Sequence, residues 1–249
     1  NGLAIVAGTI FHDLLDADNQ KNVLKAVDDI CALITDERLP KLAMHKGQKF
    51  PTPYMTVMDW GHDERDYAAG HPDTAPRLSE SEWARFMEHV RAVCERANQW
   101  GVRPVIHPHA GGYIEFEDEI AAVVRDIPYE TAGLCLDTGH LYYSHMDPVT
   151  YLKKYADRLD YVHFKDVNET VYREVLGERI RFFDGCGKGA MCPIGTGSLD
   201  YPGIKNALEE IGYAGFITIE QERDPRNSDT SLRDVKASVD YLKSVGYGI

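Results

Sequence analysis

The chain has 249 residues, 43% of them hydrophobic, and its 27 Lys and Arg against 40 Asp and Glu give a formal charge of −13. This length and composition are typical of one globular domain, which we take to span residues 1–249. The negative charge argues against nucleic acid and anionic membranes as partners, because both are bound largely through Lys and Arg. The five cysteines form no C-x-x-C pair, and no long apolar run or signal peptide is visible, which indicates reduced thiols and a cytoplasmic protein.

Short apolar segments alternate with longer amphipathic segments along the chain. The second predicted helix opens on Ser-Glu-Ser-Glu at 79–82, whose side chains can cap its first turn. Six alternating strand and helix units imply a parallel sheet with helices outside it, as in a doubly wound sheet or a (β/α)8 barrel. In chain order the predicted strand and helix pairs are 3–8 with 19–37, 41–47 with 79–101, 103–109 with 117–127, 133–140 with 147–159, 161–167 with 201–212, and 215–222 with 231–246.

Two features favour the barrel, and we predict the α/β fold of a (β/α)8 TIM barrel. The first predicted strand runs into "VAGTIF", which lacks the G-x-G-x-x-G sequence of a dinucleotide-binding sheet. Polar residues also crowd the carboxyl ends of four successive predicted strands. Active sites of these barrels lie at those ends, where inward side chains converge. The sequence therefore predicts an active site there.

The alternation of side chains along a strand groups these polar residues by face. Strands buried on both sides should be almost continuously apolar, and these are not. Carboxylates and imidazoles gathered in a pocket of low dielectric would remain unsatisfied without a cation. We therefore expect one divalent metal, with Mn²⁺ or Co²⁺ favoured over Zn²⁺, Fe²⁺ and Mg²⁺. The residues that share a face are His107 with His109, Cys135 with Asp137, His163 with Lys165, and Thr218 with Glu220 and Glu222.

Five sequence motifs resemble those of inosose (2-keto-myo-inositol) dehydratases, in the xylose-isomerase-like superfamily of sugar isomerases and epimerases. The resemblance runs from about residue 3 to the C-terminus and implies a TIM barrel. Against full-length members the chain, whose first residue is Asn1, begins at the third strand, so that about the first two βα units are missing. The motifs are "IHPHAGGYIE", "GLCLDTGHLYYSHMDP", "YVHFKDVN", "RFFDGCGKGAMCPIGTGSLDYPGI" and "GYAGFITIEQERDP".

The resemblance also implies a metal held by four side chains, one from each of strands five to eight. Asp137, His163 and Glu220 match three of these ligands. Where many relatives have a glutamate on strand five, this chain has His107, and the nearest carboxylate is Glu115 beyond the turn. We expect Glu115 to be the fourth ligand, because a hard cation favours another carboxylate, with His107 as the alternative. If His107 is the ligand, Glu115 only complements the dipole of the following helix.

A metal that chelates a carbonyl oxygen and a neighbouring hydroxyl makes the α-proton of the substrate acidic. Loss of that proton leaves an enediolate, from which dehydration, epimerisation and aldose–ketose isomerisation diverge. Dehydration also needs an acid, and His140, His109 and Lys165 are available. We expect Glu220 or Glu115 to take the α-proton and His140 to protonate the departing hydroxyl. We therefore predict a lyase that dehydrates a sugar or cyclic keto-polyol, with a sugar or sugar-phosphate isomerase or epimerase as the alternative. The predicted catalytic residues are Glu115, Glu220, His140 and His107, and the predicted substrate-binding residues are His109, Lys165 and Glu222.

Several of these residues have an alternative structural interpretation. Asp137 could cap the turn that follows it, and His107 and His109 could form hydrogen bonds across the barrel mouth. Lys165 could pair with Asp166 at the surface. A non-enzymatic binding module and a nuclease on the same scaffold are disfavoured, the first by the complete set of acid and base groups and the second by the charge of −13.

The segment 187–200, "GKGAMCPIGTGSLD", is rich in glycine but follows no phosphate-loop pattern. We expect it to be a mobile loop over the site, with Cys186 and Cys192 as plain thiols. Glu222, one pleat beyond the predicted ligand Glu220, could lie at the rim of the site. A homo-oligomer is compatible with the sequence.

Overall fold

The protein is built around a parallel β-sheet. The computed structural model describes residues 2–223 and 225–248. Strands of the sheet are adjacent in chain order, and every connection between neighbours contains at least one helix. This arrangement confirms the expected incomplete (β/α)8 barrel. The six strands are β1 (Ala7–His12), β2 (Tyr54–Asp59), β3 (Arg103–Ile106), β4 (Gly133–Asp137), β5 (Leu159–Phe164) and β8 (Ile217–Ile219), and a separate antiparallel pair consists of β6 (Asp166–Val167) and β7 (Met191–Cys192).

The first two strands differ from the prediction. Predicted strand 3–8 overlaps only the start of β1. The segment 41–47 is exposed and is not a strand, and β2 takes its place in the sheet. The sequence of β2, "YMTVMD", is buried almost throughout, so that it lacks the alternation of buried and exposed residues that marks a strand in a sequence.

Helices cover the outer face of the sheet, and all six predicted helices are present. The expected cap of the second one is confirmed, since Ser79 and Glu82 bond to each other's backbone N–H groups. No helix in the described part of the chain is long and apolar enough to cross a membrane. The helices are α1 (Gln20–Ile34), α2 (Asp63–Asp66), α3 (Glu80–Gln99), α4 (Glu117–Asp126), α5 (Thr138–Tyr143), α6 (Pro148–Lys154), α7 (Glu169–Gly177), α8 (Phe182–Gly187), α9 (Tyr201–Glu210) and α10 (Ser231–Ser244), with 3-10 turns at Ala156–Arg158 and Pro225–Thr230. Four of these helices, α2, α5, α7 and α8, are not among the predicted ones, and three of the four have six residues or fewer, too few for a clear periodic pattern in the sequence.

The two faces of the sheet carry different side chains. The face towards the helices is part of the large aliphatic core. Along β4, Cys135 shares the opposite face with Asp137, and along β5, Tyr161 shares it with His163. The polar residues at the strand ends therefore continue a small apolar cluster inside the partial barrel. This inner cluster is Tyr54, Val105, Cys135 and Tyr161.

The segment expected to be a mobile loop is held in place by hydrogen bonds. Its β7 pairs with β6. The carboxylate of Asp166, which is fully buried, accepts the N–H groups of Gly195, Gly197 and Leu199. Gly197 cannot carry a side chain, because a Cβ there would lie 2.3 Å from Oδ1 of Asp166. The suggested surface pair of Lys165 with Asp166 is therefore wrong, since both residues are buried and Asp166 anchors this segment.

Candidate active site

Four side chains at the carboxyl ends of the strands converge. His107 follows β3, Asp137 ends β4, His163 lies in β5 and Glu220 follows β8, and their ligand atoms all lie within 4.8 Å of one another. Nε2 of His107 and Nδ1 of His163 are each 4.0 Å from Oδ2 of Asp137. Nδ1 of His163 is also 3.2 Å from Oε2 of Glu220. The structure thus brings together three of the predicted metal ligands and the histidine that was the alternative fourth.

The chemistry of this group fits a divalent metal. Both ring nitrogens of His107 are buried and have no hydrogen-bond partner among the described residues. Leaving such atoms unsatisfied is unfavourable. Burial, together with the charges of His163 and Lys165, holds the pKa of His107 well below its usual range, so that its ring is neutral and can offer a lone pair. Two imidazoles and two carboxylates form a ligand set that suits first-row divalent ions.

Lys165 lies among the carboxylates of this group. Its Nζ donates to Oδ2 of Asp137 at 2.8 Å, hydrogen-bonds to Oε2 of Glu220 and lies 3.8 Å from Oε2 of Glu222. Burial alone would lower the pKa of Lys165, but the carboxylates raise it well above its usual range. Burial would raise the pKa of Glu220, but Lys165 and His163 hold it well below its usual range. Lys165 is therefore an ammonium group that points inward, as its place in the strand predicts.

A second group of polar side chains lies beside the first. His109, His140 and Glu222 bring their ligand atoms within 4.8 Å of one another. The ring centroids of His109 and His140 are 4.0 Å apart. Nε2 of His109 is 3.2 Å from Oε1 of Glu222, and Nε2 of His140 is 3.4 Å from its Oε2. The structure therefore gathers the residues that the sequence offered for proton transfer and substrate binding.

Hydrogen bonds to Ala110 fix the ring protons of both histidines. The N–H of Ala110 donates to Nδ1 of His140 at 3.2 Å, so the hydrogen of the neutral ring is on Nε2. Nδ1 of His109 lies 2.8 Å from the carbonyl oxygen of Ala110, which can only accept, so this nitrogen carries a hydrogen. Burial, with the charges of His109 and Lys165, holds the pKa of His140 well below its usual range. His140 is therefore a neutral donor, whereas His109 and Glu222 need a shared proton between them.

Glu115 belongs to neither group. Its Oε1 accepts the N–H of Gly70 at 2.7 Å and the hydroxyl of Ser144 at 2.9 Å. Its Oε2 accepts the N–H of Gly111 at 2.9 Å and lies 3.5 Å from the guanidinium of Arg65. The structure therefore does not support the expected metal and base roles of Glu115, because both oxygens of its buried carboxylate already accept hydrogen bonds from residues in three loops.

We expect Glu115 to make the stability of the protein depend on pH. Burial raises the pKa of Glu115 from its usual 4.5 to about 7, although Arg65 and the N–H groups of Gly70 and Gly111 lower it and Glu119 adds to the rise. Between these values the folded protein keeps a proton that the unfolded chain has released, so the free energy of unfolding falls as the pH rises. The contribution of Glu115 to the free energy of unfolding should fall by about 3 kcal/mol from pH 4.5 to 7. Urea unfolding of chelator-treated protein measures it as the difference between the unmodified chain and Glu115→Gln, because the lowered pKa values of His107 and His140 make stability rise with pH in both proteins.

The variant Glu115→Gln should lose this dependence, because its amide does not titrate. It should also be less stable at every pH, since the amide N–H faces the N–H of Gly111. Glu130→Gln, at an exposed position, is the control and should keep the slope of the unmodified chain. An unchanged slope in Glu115→Gln would contradict this account.

The aromatic side of the site is absent from the sequence predictions. Phe11 in β1 stacks on Trp60 after β2 with ring centroids 5.2 Å apart, and Trp60 lies 5.4 Å from Phe183 in α8. Phe11 and Phe183 lie 5.1 and 5.9 Å from the ring of His109. In the sequence these aromatic residues look like ordinary core positions beside apolar segments. Only the tertiary structure shows that they lie beside the polar groups.

The position of α8 depends on α2. The carboxylate of Asp66 accepts the N–H of Phe182 at 3.0 Å and is 2.7 Å from Nε of Arg181. The ring of Phe182 lies 5.2 Å from His140 and 5.3 Å from His109. Asp66 therefore holds the helix that covers both histidines, a role that no local sequence signal indicates.

Asp59 is another buried carboxylate that the sequence analysis missed. It ends β2 and accepts the N–H groups of Leu14 at 3.1 Å and Tyr113 at 2.7 Å. Nε2 of His62 lies 3.0 Å from it, and Asp13 completes a third group with the spacing of metal ligands. Both oxygens of Asp59 already accept hydrogen bonds from backbone N–H groups. We therefore interpret this group as a structural contact that holds three loops together.

A cavity of about 330 Å³ opens beside the polar groups. A larger groove of about 880 Å³ between α3 and α4 contains none of the converging side chains. The smaller cavity is therefore the candidate substrate pocket. Its lining includes Lys165, Cys186, Cys192, Glu220, Glu222 and Arg223.

Comparisons with known proteins agree with this architecture. The family model described as "Xylose isomerase-like TIM barrel" matches residues 43–245. The inosose dehydratase of Lacticaseibacillus casei is 32% identical over 165 residues, which make up 66% of this chain and 55% of that protein. The chain thus spans about half the length of the curated relatives it matches.

Two solved structures share the fold. The 3-keto-D-glucoside 4-epimerase from E. coli is 17% identical, with a TM-score of 0.65 over 98% of this chain and 80% of that one. The IolI protein, which has a zinc atom bound, is 13% identical, with a TM-score of 0.64 over 97% of this chain and 77% of that one. At these identities the likeness concerns the fold.

Proposed function

This chain belongs to the xylose isomerase-like TIM-barrel family, and from that premise we propose that it is a metal-dependent lyase that dehydrates a cyclic keto-polyol of the inosose type. The observation that carries the proposal is the convergence of four metal-competent side chains beside a group of two histidines and a carboxylate. The similarity to inosose dehydratases supports the lyase reaction. A sugar isomerase or epimerase is the second candidate, which the epimerase of similar fold supports.

We assign the metal to His107, Asp137, His163 and Glu220, with His107 in place of the expected Glu115. When bound, the cation would act as a Lewis acid that polarises the carbonyl group of the substrate. Mn²⁺ and Co²⁺ remain the favoured ions for this ligand set, and the zinc in the IolI protein makes Zn²⁺ the next to test.

Dehydration removes one proton and one hydroxyl group from neighbouring carbons of the substrate. Glu220 accepts the proton from the carbon α to the carbonyl, and the electron pair of that C–H bond forms the new double bond. The C–O bond at the β-carbon breaks, and the oxygen leaves as water with a proton from Nε2 of His109, which Glu222 holds in place. His140 donates a hydrogen bond from Nε2, which is buried without a partner among the described residues, to a substrate oxygen.

This assignment moves the acid role from His140 to His109. A proton on Nδ1 of His140 would face the N–H of Ala110, so an imidazolium there would lose a hydrogen bond. Nδ1 of His109 donates to the carbonyl of Ala110 in both charge states of the ring. His109 can therefore gain and lose a proton at Nε2 without any change in its other contact.

The reaction can be tested with the full-length protein and 2-keto-myo-inositol in D₂O, in the presence of Mn²⁺ or Co²⁺. Proton NMR follows exchange of the α-proton, and ultraviolet absorbance follows the conjugated product. We expect both signals, and we expect a chelator to abolish both. Exchange with simple ketoses but never with 2-keto-myo-inositol would instead support the isomerase or epimerase.

The aromatic side of the site should contribute to substrate affinity. The ring of Phe183 lies 5.9 Å from that of His109 and is partly exposed, so that the C–H groups of a polyol ring can pack against it. We expect Phe183→Ala to raise KM about fivefold with little change in kcat, because the variant loses one aromatic contact with the substrate. Trp100→Leu, an exposed aromatic residue after α3, is the control and should change neither constant. A fall in kcat at constant KM would contradict this role.

We also propose a cytoplasmic location, because the cysteines are free thiols in the structure, four of them buried. The proposed substrate is a small polar molecule, and the cavity of about 330 Å³ is of the size that small-molecule sites have.

A further inference from the structure

We propose that Lys165 regulates metal binding: its ammonium competes with the cation for Asp137 and Glu220, and Glu222 receives the ammonium when the metal binds. This inference rests on the metal site proposed above. It assigns Lys165 a positioning role that is distinct from contact with the substrate.

The competition follows from the contacts of Nζ. Lys165 hydrogen-bonds to one carboxylate oxygen of Asp137, at 2.8 Å, and to one of Glu220. The same two oxygens face the histidines. Oδ2 of Asp137 lies 4.0 Å from a ring nitrogen of His107 and of His163, and Oε2 of Glu220 lies 3.2 Å from Nδ1 of His163. The ammonium of Lys165 and a divalent cation would therefore bind the same carboxylate oxygens. The two positive charges would also repel each other strongly at such separations in a buried site.

Hydrogen bonds fix the backbone of Lys165, so that the residue as a whole cannot withdraw from the site. Its N–H donates to the hydroxyl of Thr138, and its carbonyl accepts the hydroxyls of Thr138 and Tyr201. Gly139 leaves no space beside it, because a Cβ on that residue would lie 2.5 Å from Cβ of Lys165. Any adjustment is therefore confined to the end of the side chain.

Glu222 offers the ammonium a second position. Its Oε2 lies 3.8 Å from Nζ and has no hydrogen-bond partner among the residues that the structure describes. A movement of about 1 Å would bring the two atoms to hydrogen-bond distance. Metal binding would thus transfer Lys165 from the metal ligands to the carboxylate that also contacts His109 and His140.

The test is metal affinity, measured on chelator-stripped full-length protein by competition with a metallochromic indicator for Co²⁺ or Zn²⁺. Lys165→Met removes the charge and keeps an unbranched side chain only one atom shorter, and we expect it to bind the metal about tenfold more tightly. Lys165→Arg keeps the charge and should show no gain. Lys188→Met removes a lysine that also lines the cavity but pairs with Glu174, and it controls for net charge.

Glu222→Gln tests the second position. We expect it to weaken metal binding about tenfold, because the ammonium loses its alternative acceptor. In the double variant with Lys165→Met this effect should disappear. Loss of a negative charge near the metal would weaken binding in both backgrounds, so persistence of the effect would overturn the role of Glu222.

The remaining outcomes are distinct from failure of the proposed function. Equal or weaker metal binding by Lys165→Met, with thermal unfolding that shows a folded variant, would overturn the competition while leaving the metal site intact. If the unmodified protein and His107→Ala bind the metal equally poorly, the metal site itself is wrong and the inference falls with it.

Discussion

Replacing His107 by alanine should lower the affinity of the protein for Mn²⁺ or Co²⁺ by about 100-fold or more, as expected for the loss of one of four ligands. The reason is geometric, since His107 has two buried ring nitrogens without a partner and lies with Asp137, His163 and Glu220 in one group. Competition with a metallochromic indicator on chelator-stripped protein measures the change.

Glu115→Gln is the matched control, because Glu115 was the expected fourth ligand and lies in the same connection after β3. It should retain full metal affinity, since its carboxylate binds Gly70, Ser144 and Gly111. The opposite result, with metal lost from Glu115→Gln and kept by His107→Ala, would restore the sequence-based assignment. Thermal unfolding of both variants separates loss of a ligand from loss of the fold.

The second large effect concerns the acid of the proposed dehydration. His109→Asn should slow formation of the conjugated product about 100-fold or more, while exchange of the α-proton into D₂O continues. Only the second step needs a proton from His109, and Glu220 can still take the α-proton in the first. Proton NMR and ultraviolet absorbance on the same sample measure the two steps.

His140→Asn provides the comparison. Since Nδ1 of His140 accepts the N–H of Ala110, we expect this ring to orient a substrate oxygen, and its loss should slow exchange and product formation together by about tenfold. If His140→Asn abolished the product and left exchange intact while His109→Asn did not, the assignment of proton positions would be wrong.

The sequence predicts the alternation of strands and helices and the incomplete barrel well, because both depend on local periodicity. It fails at β2, where a strand buried on both faces has no alternation to reveal it. It also fails for α5 and α8, which are too short to show a helical period. Helix capping also depends on residues close together in the chain, and the predicted capping of α3 by Ser79 and Glu82 is therefore confirmed.

Strand parity likewise groups, from the sequence alone, the polar side chains that share a face at the ends of the strands, and the resemblance to the xylose-isomerase-like superfamily implies Asp137, His163 and Glu220 among them as ligands. Parity is a property of a single strand and needs no knowledge of the partner. Their actual proximity depends on register, such as the pairing of Asp137 with His163, which the neighbouring strands set.

Only the tertiary structure shows that His107 lies with Asp137, His163 and Glu220, whereas Glu115 is hydrogen-bonded elsewhere. It alone also places Ala110 against the rings of His109 and His140. The bonds that hold Glu115 come from Gly70 and Ser144, 45 and 29 residues away in the chain. The bond from Ala110 that fixes His140 spans 30 residues. Such contacts form only when loops from different strands meet at one end of the barrel, and no local pattern of residues encodes which loops will meet.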